Sequence, residues 1–291
     1  MNNIFVRSKN SIATISLNRI MALLPFLVIG LYINVYLAKD YSINNILHML
    51  SYPFIGLLIG IIVNFIFTKK QKKDHLSDIL FSSFHIEYGL ILGFLMSNSV
   101  SLIVFSVCLL VMFIISKLVD IKLNVIAVTF LIIYICMSLN GGFELTLREV
   151  LTEKDYIIGN VNGGNFSTGL LSLLISLFIL RLKNFTKMDI SIYAIVSYIA
   201  LCLMYSLITD KDLLMLVFLN SYLFIFTFVA SDSISSSYTL NGVKIYGLLV
   251  GILTFILSFK LSVLAPFISI IVASFFSTFI DNLTHKIRKK N

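Results

Sequence analysis

Residues 100–118 read VSLIVFSVCLLVMFIISKL, an apolar run that meets no charge until Lys117 at its end. A helix of roughly 20 apolar residues crosses a hydrocarbon core of about 30 Å, so this stretch fits one crossing. Upstream of it lie Ile20–Ala38, Ile43–Phe67 and Phe81–Met96. Downstream lie Leu123–Leu139, Phe166–Leu180, Ile190–Ile208, Leu213–Ala230, Val243–Phe259 and Leu261–Ile280. Closed barrels are the other way to span lipid, but these runs are too long and too uniformly apolar for strands. The expected fold is an all-α polytopic membrane protein with about ten transmembrane helices. Pro25, Pro53 and Pro266 fall inside spans and mark expected kinks.

Composition agrees. Hydrophobic residues make up 58% of the 291, aromatic residues 13% and charged residues 12%, with a mean hydropathy of +0.99. A soluble domain carries about 25% charged residues, and a globule of this length must cover itself with polar groups. That balance excludes a soluble enzyme, a nucleic-acid-binding domain, a disordered chain and a disulfide-stapled secreted module. The net charge of +8 is spread in short basic clusters between apolar runs, where it orients the chain in a lipid bilayer.

With the amino terminus inside, ten spans leave 17 Lys and Arg on the cytoplasmic side, Arg19 and Lys187 among them, and 5 outside. This asymmetry is the positive-inside pattern, and losing one span would invert every later loop. Both termini are therefore expected in the cytoplasm of a multi-pass protein of the cell membrane. Ile20–Ala38 is too long for a signal-peptide core and lacks a small-x-small cleavage site. The chain then divides into an N-terminal segment (1–19), five spans (20–139), an extracytoplasmic loop (140–165), five more spans (166–280) and a basic tail (281–291), all in a single integral membrane domain. Five spans per half give the second half the opposite sense, the geometry of an inverted repeat, although the two halves are not visibly alike. Cys108, Cys136 and Cys202 lie in different spans and read as unpaired thiols filling small apolar sites.

Three places carry polar chemistry. Gly163-Gly164-Asn165-Phe166-Ser167-Thr168-Gly169 opens the sixth span. There, exposed N–H groups and the helix dipole suit an anion, while Asn165 or Ser167 as an ordinary N-cap is the structural alternative. Ser231-Asp232-Ser233 begins a hydroxyl-rich segment that runs to Gly242, either a solvated connector or a segment lining a cavity. His85 and Glu87 stand near the start of the third span, where ionisable groups are costly and mark either a functional path or the interface. Asp120 and Asp281 read as interfacial. No P-loop, H-E-x-x-H, nucleophile elbow or Rossmann fingerprint is present.

Several segments together resemble one family. Phe228-Val229-Ala230-Ser231-Asp232-Ser233-Ile234, Asn241-Gly242 and Ile245-Tyr246-Gly247 through Gly251 are similar to the late segment of the D subunit of Rnf electron-transport complexes. The related B subunit of the sodium-pumping quinone reductase is similar there too. Arg19-Ile20-Met21-Ala22-Leu23-Leu24-Pro25 resembles the family's opening span, Gly159–Thr168 its G-N-x-G-G-S-x-G-E-T-S helix start, and Phe279-Ile280-Asp281 its terminal P-x-I-D. The resemblance implies a ten-span subunit that works with the other subunits of a membrane complex, moving electrons through FMN or riboflavin and coupling them to Na⁺ or H⁺ movement.

In that family FMN is esterified to a threonine of an S-G-A-T motif in the loop between spans five and six. Here the loop offers Thr146 and Thr152, with no S-G-A before either. The family's N-P-A element near the fifth span is also missing. The resemblance makes Gly164, Asn165, Ser167 and Thr168 candidate anchors of an outside-facing flavin. Asp232 and Ser233 become contacts of a cytoplasmic-side one, and Glu87 and His85 residues of an ion path. A small-solute transporter or channel of the same architecture, with Glu87 or His85 lining its path, is the competing reading. A structural subunit whose cofactor sites have decayed is a third.

Overall fold

The computed structural model describes residues 11–37, 41–68, 80, 83–119, 122–140, 142–146, 153–183, 185, 187–218 and 221–290. They form an all-α protein with an isolated β-bridge between Thr146 and Gly163. The helices are α1 (Ile12–Leu31), α2 (Ile43–Thr68), α3 (His85–Leu95), α4 (Leu102–Leu118), α5 (Val125–Leu139), α6 (Glu153–Ile158), α7 (Leu170–Leu182), α8 (Met188–Thr209), α9 (Leu213–Val217), α10 (Tyr222–Phe228), α11 (Leu240–Leu261) and α12 (Ala265–Lys290). A π-helical turn, Tyr32–Leu37, extends α1.

Among the described residues, four segments are long and apolar enough to cross a membrane: Ile12–Leu37, Ile43–Phe67, Met188–Thr209 and Leu240–His285. The last is 46 residues long, but a 3₁₀ turn at Ser262–Leu264 folds it into the hairpin in which α11 packs on α12. The outward faces keep the apolar side chains that lipid requires, among them Val28, Phe54, Ile103, Phe178 and Phe279.

The elements depart from the apolar runs in informative places. Helix α1 begins at Ile12, eight residues before the expected span, because the Ser11 hydroxyl accepts the Thr14 N–H and caps it. Arg19 is thereby drawn into the bundle. Helix α7 begins at Leu170, behind Gly169 at φ 112°, so neither Asn165 nor Ser167 is its cap. The eighth run splits into α9 and α10, and α10 starts from Ser221 in the left-handed region. Helix α12 continues to Lys290 through the segment expected as a tail.

Both halves use the same packing scheme. In the first, α2 packs on α3 and α4, and α4 packs on α5; in the second, α8 packs on α10 and α11, and α11 packs on α12. Across the halves α1 meets α7 and α5 meets α12, with Phe130 and Phe267 stacked at 3.8 Å between centroids. The third element of each half is the short one: α3 has 11 residues and α10 has 7. Neither spans about 30 Å alone at 1.5 Å per residue. Both end inside the protein.

Backbone contact at glycine draws these layers together. Gly56 and Gly60 on α2 face Gly89 and the start of α3. A Cβ on Gly56 would lie 2.1 Å from the Gly89 carbonyl oxygen, and one on Gly89 equally close to that of Gly56. Small residues four apart let helix backbones touch in this way.

Candidate functional site

The short helices α3 and α10 create two junctions, called inner and outer after the sidedness expected from charge. At the inner junction the start of α3 meets the end of α10. The last turn of α10 leaves carbonyls without helical partners, a cost that buried backbone must recover elsewhere. Arg19 Nη2 donates to the Phe228 carbonyl, and Asn124 Nδ2, on the N-cap residue of α5, donates to the Val229 carbonyl at 2.7 Å. The other end of the Arg19 guanidinium pairs with Glu87 in the first turn of α3, Nη1 to Oε1 at 2.7 Å, and both side chains are 0% exposed. The acid also complements the positive end of the α3 dipole. Around this pair the Ser16 hydroxyl lies beside the Glu87 carboxylate, and Tyr246 Oη is buried without a hydrogen-bond partner.

Beyond α10 the chain runs through 229–239 without regular helix, yet Asp232, Ser235, Ser236, Ser237 and Thr239 are all buried. Irregular backbone at such depth requires internal partners, and three side chains supply them. Asp232 accepts the Tyr88 hydroxyl proton on Oδ1 at 2.5 Å, and the Ile234 N–H, Ser235 N–H and Ser235 hydroxyl on Oδ2. Lys187 donates to the carbonyls of Ser233, Ser236 and Ser237 at 3.3, 3.2 and 3.0 Å and to the Ser236 hydroxyl at 2.8 Å. Its ammonium also lies 4.0 Å from the Tyr238 ring centroid. Asp281 of α12 accepts the Tyr238 and Thr239 N–H groups at 3.0 and 2.9 Å together with the Ser237 and Thr239 hydroxyls.

In this connector, burial pulls the Lys187 ammonium down to about 8, against the opposing pull of Asp232 and Asp281. Burial raises the Tyr238 phenol, and the same two carboxylates add to the rise. The segment is a held loop rather than a solvated connector.

A cleft of about 340 Å³ opens beside it, lined by Phe84, His85, Tyr88, Ser116, Lys122 and Ile234 with Ser83 and Val125. His85 Nε2 pairs with Ser116 Oγ at 2.8 Å, and its Nδ1 faces Ser83 Oγ and Asn64 Oδ1. Its apolar walls, few convergent polar groups and volume resemble those of ligand pockets, which usually run to about 300–1,000 Å³.

At the outer junction the end of α3 and the start of α10 enclose residues 163–168. The N–H groups of Gly164, Asn165 and Phe166 are donated to Ser221 Oγ, the Met96 carbonyl and the Phe94 carbonyl. The Asn165 side chain accepts from Thr146 Oγ1 at 3.0 Å and donates to Asn98 Oδ1 at 2.9 Å, while its carbonyl accepts from Asn34 Nδ2. Ser167 donates to Ser221 Oγ at 2.7 Å. The cavity lined here by Phe26, Ser167, Thr168, Ser221, Tyr222 and Phe224 holds only 10 Å³, about one water. An isoalloxazine ring does not fit this cavity, and these three N–H groups are already committed.

The structure thus gathers Gly164, Asn165, Ser167, Thr168 and Thr146 at the outer junction, and Glu87, Asp232 and Ser233 at the inner one. Thr152 lies outside the described residues. His85 and Glu87 are two residues apart on α3 and point to different partners, His85 toward Ser116 of α4 and Glu87 toward Arg19 of α1. Sequence reasoning missed Arg19, Tyr88, Asn124, Lys187 and Ser221, and took Asp281 for an interfacial group. The Ser11 cap upstream of Arg19 was the legible signal that a helix carries this arginine inward.

A family model described as the NQR2, RnfD, RnfE family matches residues 122–290, more than half of the chain. The match contains α5 through α12, including Asn124, Lys187, Asp232 and Asp281. No individually curated protein matches.

Proposed function

The chain belongs to the NQR2, RnfD, RnfE family, the membrane subunits of Rnf and Nqr complexes, and from that premise we propose that it carries electrons through a bound flavin. The same reading couples that transfer to Na⁺ or H⁺ movement, in company with the other subunits of the complex. The observation that supports it most is the 340 Å³ cleft where α3 meets the held loop. FMN or riboflavin enters this cleft without a covalent bond. Phe84, Val125 and Ile234 flank the ring, and Lys122, Ser116 and the His85 imidazole supply its polar contacts. When bound, the flavin supplies one- and two-electron chemistry; the protein orients it and keeps the site dry.

Asp232 and Ser233 act through the loop they build, Asp232 by fixing Tyr88 at the cleft wall. Glu87, a fully buried carboxylate held by Arg19 with Ser16 beside it, is the group of the ion path, and His85 stands at the cleft side of it. At the outer junction Gly164, Asn165, Ser167 and Thr168 scaffold the two short helices. Thr146 is the covalent candidate within the described residues, although its hydroxyl already donates to Asn165. Both termini lie in the cytoplasm, and the protein resides in the cell membrane.

The test is the visible absorption spectrum of the protein purified in detergent. Flavin bands are expected to be lost on denaturation and to weaken by tenfold or more in occupancy when His85 and Lys122 are both replaced by alanine. Fluorescence that survives denaturing electrophoresis would move the site to a threonine of the outer loop. A colourless protein that takes up a small solute in liposomes would overturn the redox reading in favour of a transporter, whose binding sites also form between short helices of two inverted halves.

A further inference from the structure

Two of the three thiols meet. Helices α4 and α5 form an antiparallel pair in which Leu118 and Val125 flank the turn. That register sets Cys108, ten residues back along α4, opposite Cys136, eleven residues on along α5. The two thiols lie near enough to interact across the packed helix pair, and neither is in a disulfide. Cys108 is buried, whereas Cys136 is part-exposed and sits one turn before the end of α5. The other end of the same hairpin carries Ser116, Lys122 and Val125 of the cleft and Asn124, which holds the Val229 carbonyl.

We propose that Cys108 and Cys136 are a reversible dithiol–disulfide pair, a modification site that straps α4 to α5 behind the cleft wall. The surroundings are apolar, so the oxidant is a membrane-permeant two-electron, two-proton acceptor of the azo or quinone class. With an azo compound, the more accessible Cys136 thiolate adds across the N=N bond. The Cys108 thiolate then attacks the Cys136 sulfur, and the hydrazine leaves. Two S–H bonds are broken and one S–S bond is formed, and both electrons and both protons end on the hydrazine. The attacking species is the thiolate in each step, so the reaction quickens with pH.

The experiment uses the full chain in membranes, as wild type and as Cys202→Ser, which leaves the pair intact. After exposure to diamide the protein is denatured, alkylated with a maleimide and weighed intact. The Cys202→Ser protein is expected to lose both alkylatable thiols and to regain both with dithiothreitol. Cys108→Ser and Cys136→Ser in that background keep their one remaining thiol alkylatable. If those variants fail to accumulate, peptide mapping of oxidised wild type must find Cys108 joined to Cys136. Two alkylatable thiols in Cys202→Ser after diamide, or a bond from Cys202 or between chains, would overturn the proposal.

Discussion

Arg19 joins two problems that a membrane bundle must solve together. The end of α10 exposes carbonyls to a medium without water, and Glu87 brings a charge into the same region. One guanidinium meets both, with Nη1 on Glu87 and Nη2 on the Phe228 carbonyl, and its planar fork suits two acceptors where an ammonium acts as a point charge. Removing one partner of a buried pair leaves the other uncompensated, at a cost of about 3–5 kcal/mol, whereas replacing both with apolar groups is often neutral. Arg19→Leu is therefore expected to lose about that much stability. Glu87→Leu should lose nearly as much, and the double variant should recover a large part of the loss. Thermal melting in detergent, arranged as a double-mutant cycle, reads the coupling; additive losses from the two single variants would break the assignment. Glu87 was legible in the sequence because an acid in an apolar run stands out. Arg19 was passed over despite the Ser11 cap upstream of it, since a basic residue just before an apolar run reads as a topological flank.

At the scale of helices, the tightest constraint is the glycine contact between α2 and α3. Helix α3 is short, begins without a side-chain cap and carries Glu87, Tyr88 and His85 in its first turn. Its placement therefore depends on lateral packing. Gly56 and Gly89 meet backbone to backbone, and Gly93 brings α3 against Pro53, where a Cβ would lie 2.5 Å from the proline Cα and N. Backbone cannot rotate away as a side chain can, so Gly89→Ala forces the helices apart. Overpacking costs typically about 1–3 kcal/mol, and this site belongs at the upper end. The melting midpoint should fall, and by more than for Gly142→Ala, whose Cβ would meet nothing within 4 Å and whose only cost is the backbone strain of a side chain at φ 109°. Equal effects at the two sites would mean that the α2–α3 contact does not govern the placement of α3. The sequence shows this pairing only as Gly56-x₃-Gly60 and Gly89-x₃-Gly93, a spacing that fits many helix partners. It shows the runs that become helices well, because apolar length is a local property. It hides the break between α9 and α10, because Asn220-Ser221 is only a brief polar interruption of the apolar run Leu213–Ala230.

For the whole molecule, the repeated packing scheme and the charge asymmetry make one argument about topology. Matching contacts place α3 and α10 as third elements of two halves, and a five-element half can repeat with opposite sense only if the chain crosses the membrane ten times in all. Ten crossings return the C-terminus to the side of the N-terminus. The structure withdraws two residues from the sequence-based tally of basic groups, since Arg19 and Lys187 are buried and bonded inside the protein and do not sit at a lipid headgroup. Fifteen cationic residues still face five, so the orienting bias survives the correction. The broken eighth span is the place where this count is most exposed. If α9 and α10 together make a re-entrant turn instead of a crossing, every later element inverts and the basic end of α12 moves outside. An impermeant cysteine reagent applied to intact cells tests this directly, with single reporter cysteines at the N-terminus, in the 210–212 connection and at the C-terminus of a cysteine-free chain. The 210–212 reporter is expected to react from outside, and both terminal reporters only after the cells are permeabilised. A C-terminal reporter that reacts in intact cells would remove one crossing, and with it the opposed orientation of α3 and α10 on which the two junctions depend.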